Sequence, residues 1–162
     1  MNDSEEGREF MRKITGDMKE MLETHVGYLA TATPDGKPNV VPVGFVQAIS
    51  DSEILIVDVS FNKTRRNLRE NPHASIAVTD FERMQAYQFK GKVEVIEAGP
   101  RFERADKILK EKYGKQKRWI EYGLQDTELK GKYKQMAEKG RKFRPRAVVL
   151  LHVEKIYSTW QM

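Results

Sequence analysis

The sequence contains no cysteine among its 162 residues. Without cysteine, a chain cannot form disulfide bonds, use a thiolate nucleophile, or hold zinc or an iron–sulfur cluster through thiolates. No apolar run approaches the roughly 20 residues that a membrane-spanning helix needs, and the acidic N-terminus is unlike a signal peptide. We therefore expect a protein of the reducing cytoplasm that has no membrane partner.

Recognisable catalytic motifs are also missing. The three histidines, His25, His73 and His152, stand apart and lack the spacing of a metal site. The sequence has no GxSxG nucleophile elbow, no P-loop and no GxGxxG dinucleotide motif. It therefore predicts no metal site, and it leaves the catalytic residues unassigned.

The composition is that of a globular domain. The chain has 39% hydrophobic and 33% charged residues, and its length fits a single domain over residues 1–162. The net charge of +5 is uneven, because residues 101–146 hold 16 basic against 7 acidic side chains. Such a surplus is compatible with nucleic acid, with an anionic ligand or with a solvated helical face. We favour the solvated face for most of these residues.

Hydrophobic periodicity predicts helices only at the periphery. An N-terminal helix is expected over about 4–24, and a short helix over 63–71. Residues from about 100 to 143 form a predicted helical insertion, with helices over 101–113 and 126–140.

Six other segments show the alternation or the short apolar run of a β-strand. They are residues 26–33, 38–48, 54–59, 74–79, 85–96 and 146–158. Tight turns join most of them, and Gly91 in the fifth marks a bulge or a close backbone approach. The sequence thus predicts a mainly β fold with peripheral helices, in the form of a six-stranded antiparallel barrel.

The short helix begins with an unusual cluster at residues 63–67. Its members are the cations Lys63, Arg65 and Arg66 with the hydrogen-bonding residues Thr64 and Asn67. Cations do not favour a helix N-terminus, where free N–H groups already carry partial positive charge. The cluster therefore indicates a bound anion such as phosphate, and the alternative is a set of ordinary solvent-facing charges.

A second unusual segment, Pro42-Val43-Gly44-Phe45, lies within the second predicted strand. Proline removes a donor from the strand ladder and glycine weakens packing. The segment therefore indicates an edge strand, a bulge or a backbone that faces a ligand. A flat heteroaromatic ring with polar edges could use such a backbone, with Phe45 or a neighbour as an apolar wall.

In this order, the segments resemble the FMN-binding split-barrel family related to pyridoxamine 5′-phosphate oxidase. The resemblance runs through GYLATATPDGKPNVVPVGFV, ILIVDVSFNKTRRNLRENPHASIAVTD, YQFKGKVEVIE and RAVVLLHVEKIYS. It covers most of the chain outside residues 1–24 and 100–143. It implies a split β-barrel of the FMN-binding type with FMN bound non-covalently, so the cofactor would supply the redox chemistry.

The resemblance implies that one group of residues holds the phosphate of FMN. These are Lys63, Thr64 and Asn67, with Arg65 or Arg66 assisting. The start of the short helix is thus the expected phosphate site.

The flavin ring is expected against other segments. In the family, the second strand lines the ring mainly through its backbone, which corresponds here to Pro42, Val43, Gly44 and Phe45. Asp58, Val59 and Ser60 would flank the flavin, and Gln88 would lie near it.

The resemblance further implies a homodimer with two flavin sites at its interface. Each site would be completed by the partner chain, and the segment Phe143-Arg144-Pro145-Arg146 is the candidate for that contribution, with Arg144 as a cofactor contact.

The expected activity is that of an oxidoreductase or an electron carrier for an unassigned small molecule, with a nicotinamide as a candidate electron donor. Oxidation of a vitamin B6 phosphate is not expected, because residues 158–162 carry no basic, histidine-containing substrate motif. One alternative keeps the fold but binds a deazaflavin or a haem-type ligand. Another is a basic barrel that binds nucleic acid, which we disfavour because Tyr28, Phe45, Tyr87 and Phe89 lie away from the basic segment.

Overall fold

Seven strands and three helices make up the described parts of the computed structural model, which are residue 11 and residues 13–58, 61–115 and 145–158. In chain order, the elements are α1 (Gly16–Thr24), β1 (Gly27–Ala32), β2 (Pro38–Val43), β3 (Val46–Ala48), β4 (Glu53–Asp58), α2 (Lys63–Glu70), β5 (His73–Asp80), β6 (Gln85–Ile96), α3 (Pro100–Lys115) and β7 (Ala147–Ser158). None of the described helices is long and apolar enough to cross a membrane.

All seven strands belong to one antiparallel sheet in the order β2-β1-β5-β6-β7-β4-β3. β2 and β3 lie at opposite edges, although only Gly44 and Phe45 separate them in the chain. Three successive Cα–Cα steps span at most about 11 Å, so the two edges must approach each other and the sheet curls. The predicted antiparallel split barrel is therefore confirmed. It has seven strands rather than six because the predicted strand at 38–48 divides at these two residues.

The interior of the curled sheet holds the main hydrophobic core. Phe89 of β6, Ile76 of β5 and Leu151 of β7 are fully buried in it. The helix α1 packs on β3 and β5 and adds Met18 and Met21 to the same core. Burial of a side chain of this size contributes about 1.5–3 kcal/mol, so this interior is the main source of stability.

A second, smaller core lies on the outer face of the sheet. There α3 packs Phe102 and Ala105 against Leu55 of β4 and against Val148 and Leu150 of β7. β4 is thus covered on both faces, which explains why its sequence is a continuous apolar run rather than an alternating one.

The N-terminal helix is shorter than predicted. α1 begins at Gly16, because Thr15 is the N-cap and its Oγ1 accepts a hydrogen bond from the Met18 N–H at 3.5 Å. Met11 instead forms an antiparallel bridge with Ile156 of β7, with N···O distances of 2.9 and 3.0 Å. The predicted helix is therefore wrong for Met11 and for residues 13–15, and its residues 4–10 and 12 lie outside the described ones.

The other predicted helices have different outcomes. α2 confirms the short helix at 63–71, and α3 confirms the helix at 101–113. The helix predicted at 126–140 lies outside the described residues.

Gly91 lies where the backbone of β7 passes close to that of β6. Lys90 pairs with Lys155 and Gly91 pairs with Val153, so Glu154 is an extra residue that makes a bulge in β7. A Cβ atom on Gly91 would lie 1.8 Å from the carbonyl oxygen of a β7 residue, His152. The close approach predicted from the sequence is confirmed.

We expect Gly91→Ala to lower the free energy of unfolding by about 3 kcal/mol, because β6 and β7 must separate to admit the methyl group. Urea unfolding measures the change. Gly16→Ala is the matched control, since a Cβ there meets no atom within 4 Å at the start of α1. Equal stabilities of the two variants would contradict this account of the bulge.

Candidate functional site

The N-terminus of α2 is open towards an incoming group. Its N-cap, Asn62, has φ −97° and ψ −68° and makes no side-chain capping bond, and the first turn contains no acidic residue. The helical bonding begins with Arg66, whose N–H donates to the Asn62 carbonyl at 3.2 Å. The N–H groups of residues 63–65 therefore have no acceptor within the helix, and they carry its partial positive charge.

Cationic side chains surround this open end. Lys63 and Arg66 are exposed and form no ion pair within the described part of the chain. Arg146, just before β7, is also exposed, and its Nη1 lies 3.4 Å from the Oδ1 of Asn62. The result is a concentration of positive charge that suits a multiply charged anion.

A buried polar network lies beside the same helix end. Thr64 and Asn67 of α2 are buried, and so is Thr31 of β1. The Nδ2 of Asn39 on β2 donates to Thr64 Oγ1 at 3.0 Å and to Thr31 Oγ1 at 3.2 Å. Asn67 Nδ2 also donates to Thr31 Oγ1 at 3.2 Å. Three elements, β1, β2 and α2, thus meet through hydrogen bonds rather than through apolar contacts.

The network has spare hydrogen-bonding capacity. The Oδ1 of Asn67 is buried and accepts no hydrogen bond in the described structure. Thr64 Oγ1 accepts from Asn39, so its own proton is left to donate elsewhere. Buried polar groups without partners are costly, so the unpaired Asn67 oxygen calls for an explanation in the native protein.

Arg65 is directed away from the open end. Its Nε and Nη2 lie 3.2 and 3.0 Å from the Phe61 carbonyl oxygen, and its Nε lies 2.9 Å from Asp58 Oδ2. Its Nη1 lies 3.5 Å from Glu97. Of the three predicted cations, the structure therefore leaves Lys63 and Arg66 available to an anion and engages Arg65 within the chain.

Asp58, the last residue of β4, is completely buried. Burial raises the pKa of its carboxyl group above the usual value, and three influences act in the opposite direction. They are a hydrogen bond of 2.6 Å from the Phe61 N–H and the positive charges of Arg65 and Arg146. Asp58 therefore has no exposed surface with which to flank a ligand.

The predicted ring-binding segment lies at the edge of the sheet. Pro42 is an exposed residue of the edge strand β2 and is paired with Tyr28 of β1. None of the described strands pairs with the other side of β2, so no ladder hydrogen bond is lost there. A Cβ on Gly44 would meet no atom within 4 Å, which leaves room over that backbone. Val43 and Phe45 are buried, and Phe45 packs with Val57. The segment therefore ends an edge strand, and the backbone at Gly44 is open.

Of the remaining predicted residues, only Gln88 is among the described ones, and it is not part of this cluster. Gln88 is half-buried, and it lies on the outer face of β6, because the neighbouring Phe89 is buried in the interior. Val59, Ser60 and Arg144 lie outside the described residues.

Sequence reasoning did not single out Asn39 and Thr31. One signal was available for Asn39, since it shares the inward face of β2 with the apolar residues Val41 and Val43. A polar side chain at an inward position of an apolar strand indicates a buried partner. Thr31 shares the inward face of β1 with Leu29 in the same way, but threonine is common in strands and so signals less.

A sequence model of a known family matches almost all of the described region. This family, pyridoxamine 5′-phosphate oxidase, matches residues 14–160. The chain therefore belongs to the pyridoxamine 5′-phosphate oxidase family. An uncharacterised protein of Methanocaldococcus jannaschii, MJ0282, is 34% identical over 103 residues, which cover 60% of this chain and 68% of that protein.

Solved structures have the same fold. HupZ of Group A Streptococcus is 26% identical with a TM-score of 0.64, over 90% of this chain and 94% of its own. An F420 reductase is 18% identical with a TM-score of 0.55, over 85% of this chain and 94% of its own. An FMN-binding protein of Syntrophomonas wolfei is 14% identical with a TM-score of 0.51, over 89% of this chain and 84% of its own. The last two likenesses establish the fold alone.

The raised pKa of Asp58 leads to a prediction for stability. A carboxyl group whose pKa is higher in the folded than in the unfolded state favours folding below its unfolded pKa, and this contribution is lost as the pH rises through the folded pKa. Asp58→Asn is neutral at every pH. We therefore expect the stability of the parent protein relative to this variant to fall as the pH rises from about 3 to about 7.

Urea unfolding at a series of pH values measures this difference, and the other titrating groups are common to both proteins. If the parent protein instead becomes more stable relative to Asp58→Asn as the pH rises, the prediction is contradicted. Such a result would mean that the attraction of Arg65 and Arg146 outweighs the cost of burying the carboxylate.

Proposed function

We propose that the protein is a flavoprotein that binds FMN non-covalently and acts as an oxidoreductase or an electron carrier for a small molecule. The observation that carries the proposal is the open N-terminus of α2, where free N–H groups lie between the exposed cations Lys63 and Arg66. Membership of the pyridoxamine 5′-phosphate oxidase family supports it.

The residues at this helix end fit the phosphate of FMN. A phosphate dianion there would accept hydrogen bonds from the backbone N–H groups of residues 63–65. It would also form an ion pair with Lys63 or Arg66. The Thr64 hydroxyl, which already accepts from Asn39, has a proton to donate. The set contains donors and positive charge without a carboxylate in the first turn of the helix.

The adjoining edge strand fits the flavin ring. The space over Gly44 allows a flat ring to approach the backbone between β2 and β3. The flavin, when bound, supplies the exchange of electrons with the substrate, while Lys63, Thr64, Arg66 and Gly44 bind and orient it. A flavin-type cofactor is also supported by two proteins of the same fold, one called FMN-binding and the other an F420 reductase.

We further propose that the protein is a homodimer that uses the outer face of β1 and β2. Tyr28 is 53% exposed and Val40 is 63% exposed on this face. Tyr28 lies directly opposite Pro42 on one side and Ala77 on the other, and Ala77 lies opposite Gln88. Because residues directly opposite in a sheet share a face, a second copy on this face would bring Gln88 into the interface.

We expect Val40→Asp to raise the dissociation constant of the dimer by about 30-fold or more, because a charge would be buried at an apolar contact. Light scattering across a dilution series measures it. Ile49→Asp is the matched control, since Ile49 is 44% exposed between β3 and β4 and away from this face. Dissociation constants that are the same for both variants would exclude the β1–β2 face.

A deazaflavin is the second candidate cofactor. It is favoured by the fold shared with an F420 reductase and by the basic surplus of residues 101–146, since its tail is longer and more acidic than that of FMN. The visible spectrum of the purified protein and titrations with FMN, riboflavin and the deazaflavin distinguish the candidates. Binding of the deazaflavin with no binding of FMN would replace the first proposal by the second.

We expect Lys63→Ala to weaken the binding of FMN by roughly 10- to 150-fold, because one charge-assisted hydrogen bond to phosphate is lost. The affinity for riboflavin, which has no phosphate, should not change. Lys37→Ala is the control, because Lys37 is an exposed lysine in the turn between β1 and β2 that pairs with Asp35. An unchanged affinity of Lys63→Ala for FMN would reject this position for the phosphate.

A further inference from the structure

We propose that Arg65 and Asp58 form a positioning pair that holds the chain before α2 in the geometry that binds phosphate. Arg65 would thus act through the backbone of Phe61, without touching the phosphate itself. This inference rests on the proposed function, because it concerns the same site.

The guanidinium of Arg65 is fully engaged within its own chain. Two of its nitrogens, Nε and Nη2, lie 3.2 and 3.0 Å from the Phe61 carbonyl oxygen. Its Nε also lies 2.9 Å from Asp58 Oδ2, and its Nη1 lies 3.5 Å from Glu97 Oε1. The side chain is only 18% exposed. Turning it towards the open end of α2 would break these contacts and leave the buried Asp58 without its nearest cation.

Asp58 also holds Phe61, through the backbone N–H of that residue. Its Oδ1 accepts a hydrogen bond from the Phe61 N–H at 2.6 Å, and its own carbonyl accepts from the Arg146 N–H at 2.7 Å. Asp58 is itself fixed in the sheet through its pairing with Ala147 of β7. Phe61 is therefore held through its N–H by Asp58 and through its carbonyl by Arg65.

Phe61 immediately precedes Asn62, the N-cap of α2. A side-chain cap usually fixes how a chain enters a helix, but Asn62 makes no such bond. The contacts of Asp58 and Arg65 with Phe61, which we call the clamp, take over this task. They leave the first N–H groups of α2 free for a ligand. Donors held in place before binding lose less conformational entropy when the ligand arrives, so the clamp favours ligands that carry phosphate.

Arg69 offers a matched comparison on the same helix. It lies one turn after Arg65 and also contacts Glu97, but it makes no contact with Asp58 or Phe61 among the described residues. The test therefore compares Arg65→Met with Arg69→Met. If Arg65→Met fails to fold, Arg65→Lys carries the comparison, because it keeps the charge but cannot hold Phe61 and Asp58 with separate nitrogens.

Two measurements are made on each variant. The first is amide hydrogen exchange of Phe61 in the protein without flavin, which reports directly on the clamp. The second is the ratio of the affinities for FMN and riboflavin, which reports on the phosphate alone. We expect Arg65→Met to speed the exchange of Phe61 and to lower the affinity ratio, each by about ten-fold. Arg69→Met should leave both unchanged.

Other results would overturn the inference. A lower affinity ratio with unchanged exchange of Phe61 would mean that Arg65 contacts the phosphate directly. Unchanged values of both would mean that the pair has no positioning role. If the parent protein itself does not prefer FMN to riboflavin, the proposed function fails, and the exchange of Phe61 alone then decides whether Arg65 and Asp58 hold this segment.

Discussion

Gly44 and Phe45 are the whole connection between the two edges of the sheet, and this short link determines much of the structure. Because two residues cannot span a flat seven-stranded sheet, the sheet must curl, and its concave side becomes the main core. The curl also brings the edge strand β2 beside α2, where Asn39 reaches Thr64 at 3.0 Å. The outer face of β1 and β2 is left bare, with Tyr28 and Val40 exposed.

The start of α2 combines two features that would be unfavourable in an ordinary helix. It has no capping side chain, and its first turn carries cations. Each feature costs stability, and a phosphate would satisfy the charges and the free N–H groups together. This agreement between separate local costs is the physical reason to regard the helix end as a binding site.

Family membership and local chemistry contribute different parts of the functional picture. The family match and the shared fold define the architecture, while proteins of the same fold carry names that refer to different flavin-type cofactors. A phosphate is common to those cofactors, so the helix end alone does not distinguish them. Under the proposed function, the distinction falls to the groups that meet the rest of the cofactor, for which the backbone at Gly44 is the proposed contact.

The sequence by itself determined most of the element types, the special role of Gly91, the cationic start of α2 and the family, because periodicity, glycine and the order of motifs are local signals. The division of the strand at Gly44 and the bridge between Met11 and Ile156 depended on which strand each segment pairs with. Tertiary structure alone decided the direction of Arg65. Its neighbours Asp58 and Glu97 lie 7 and 32 residues away in the sequence, and no local pattern distinguishes a cation that binds a ligand from one that binds its own chain.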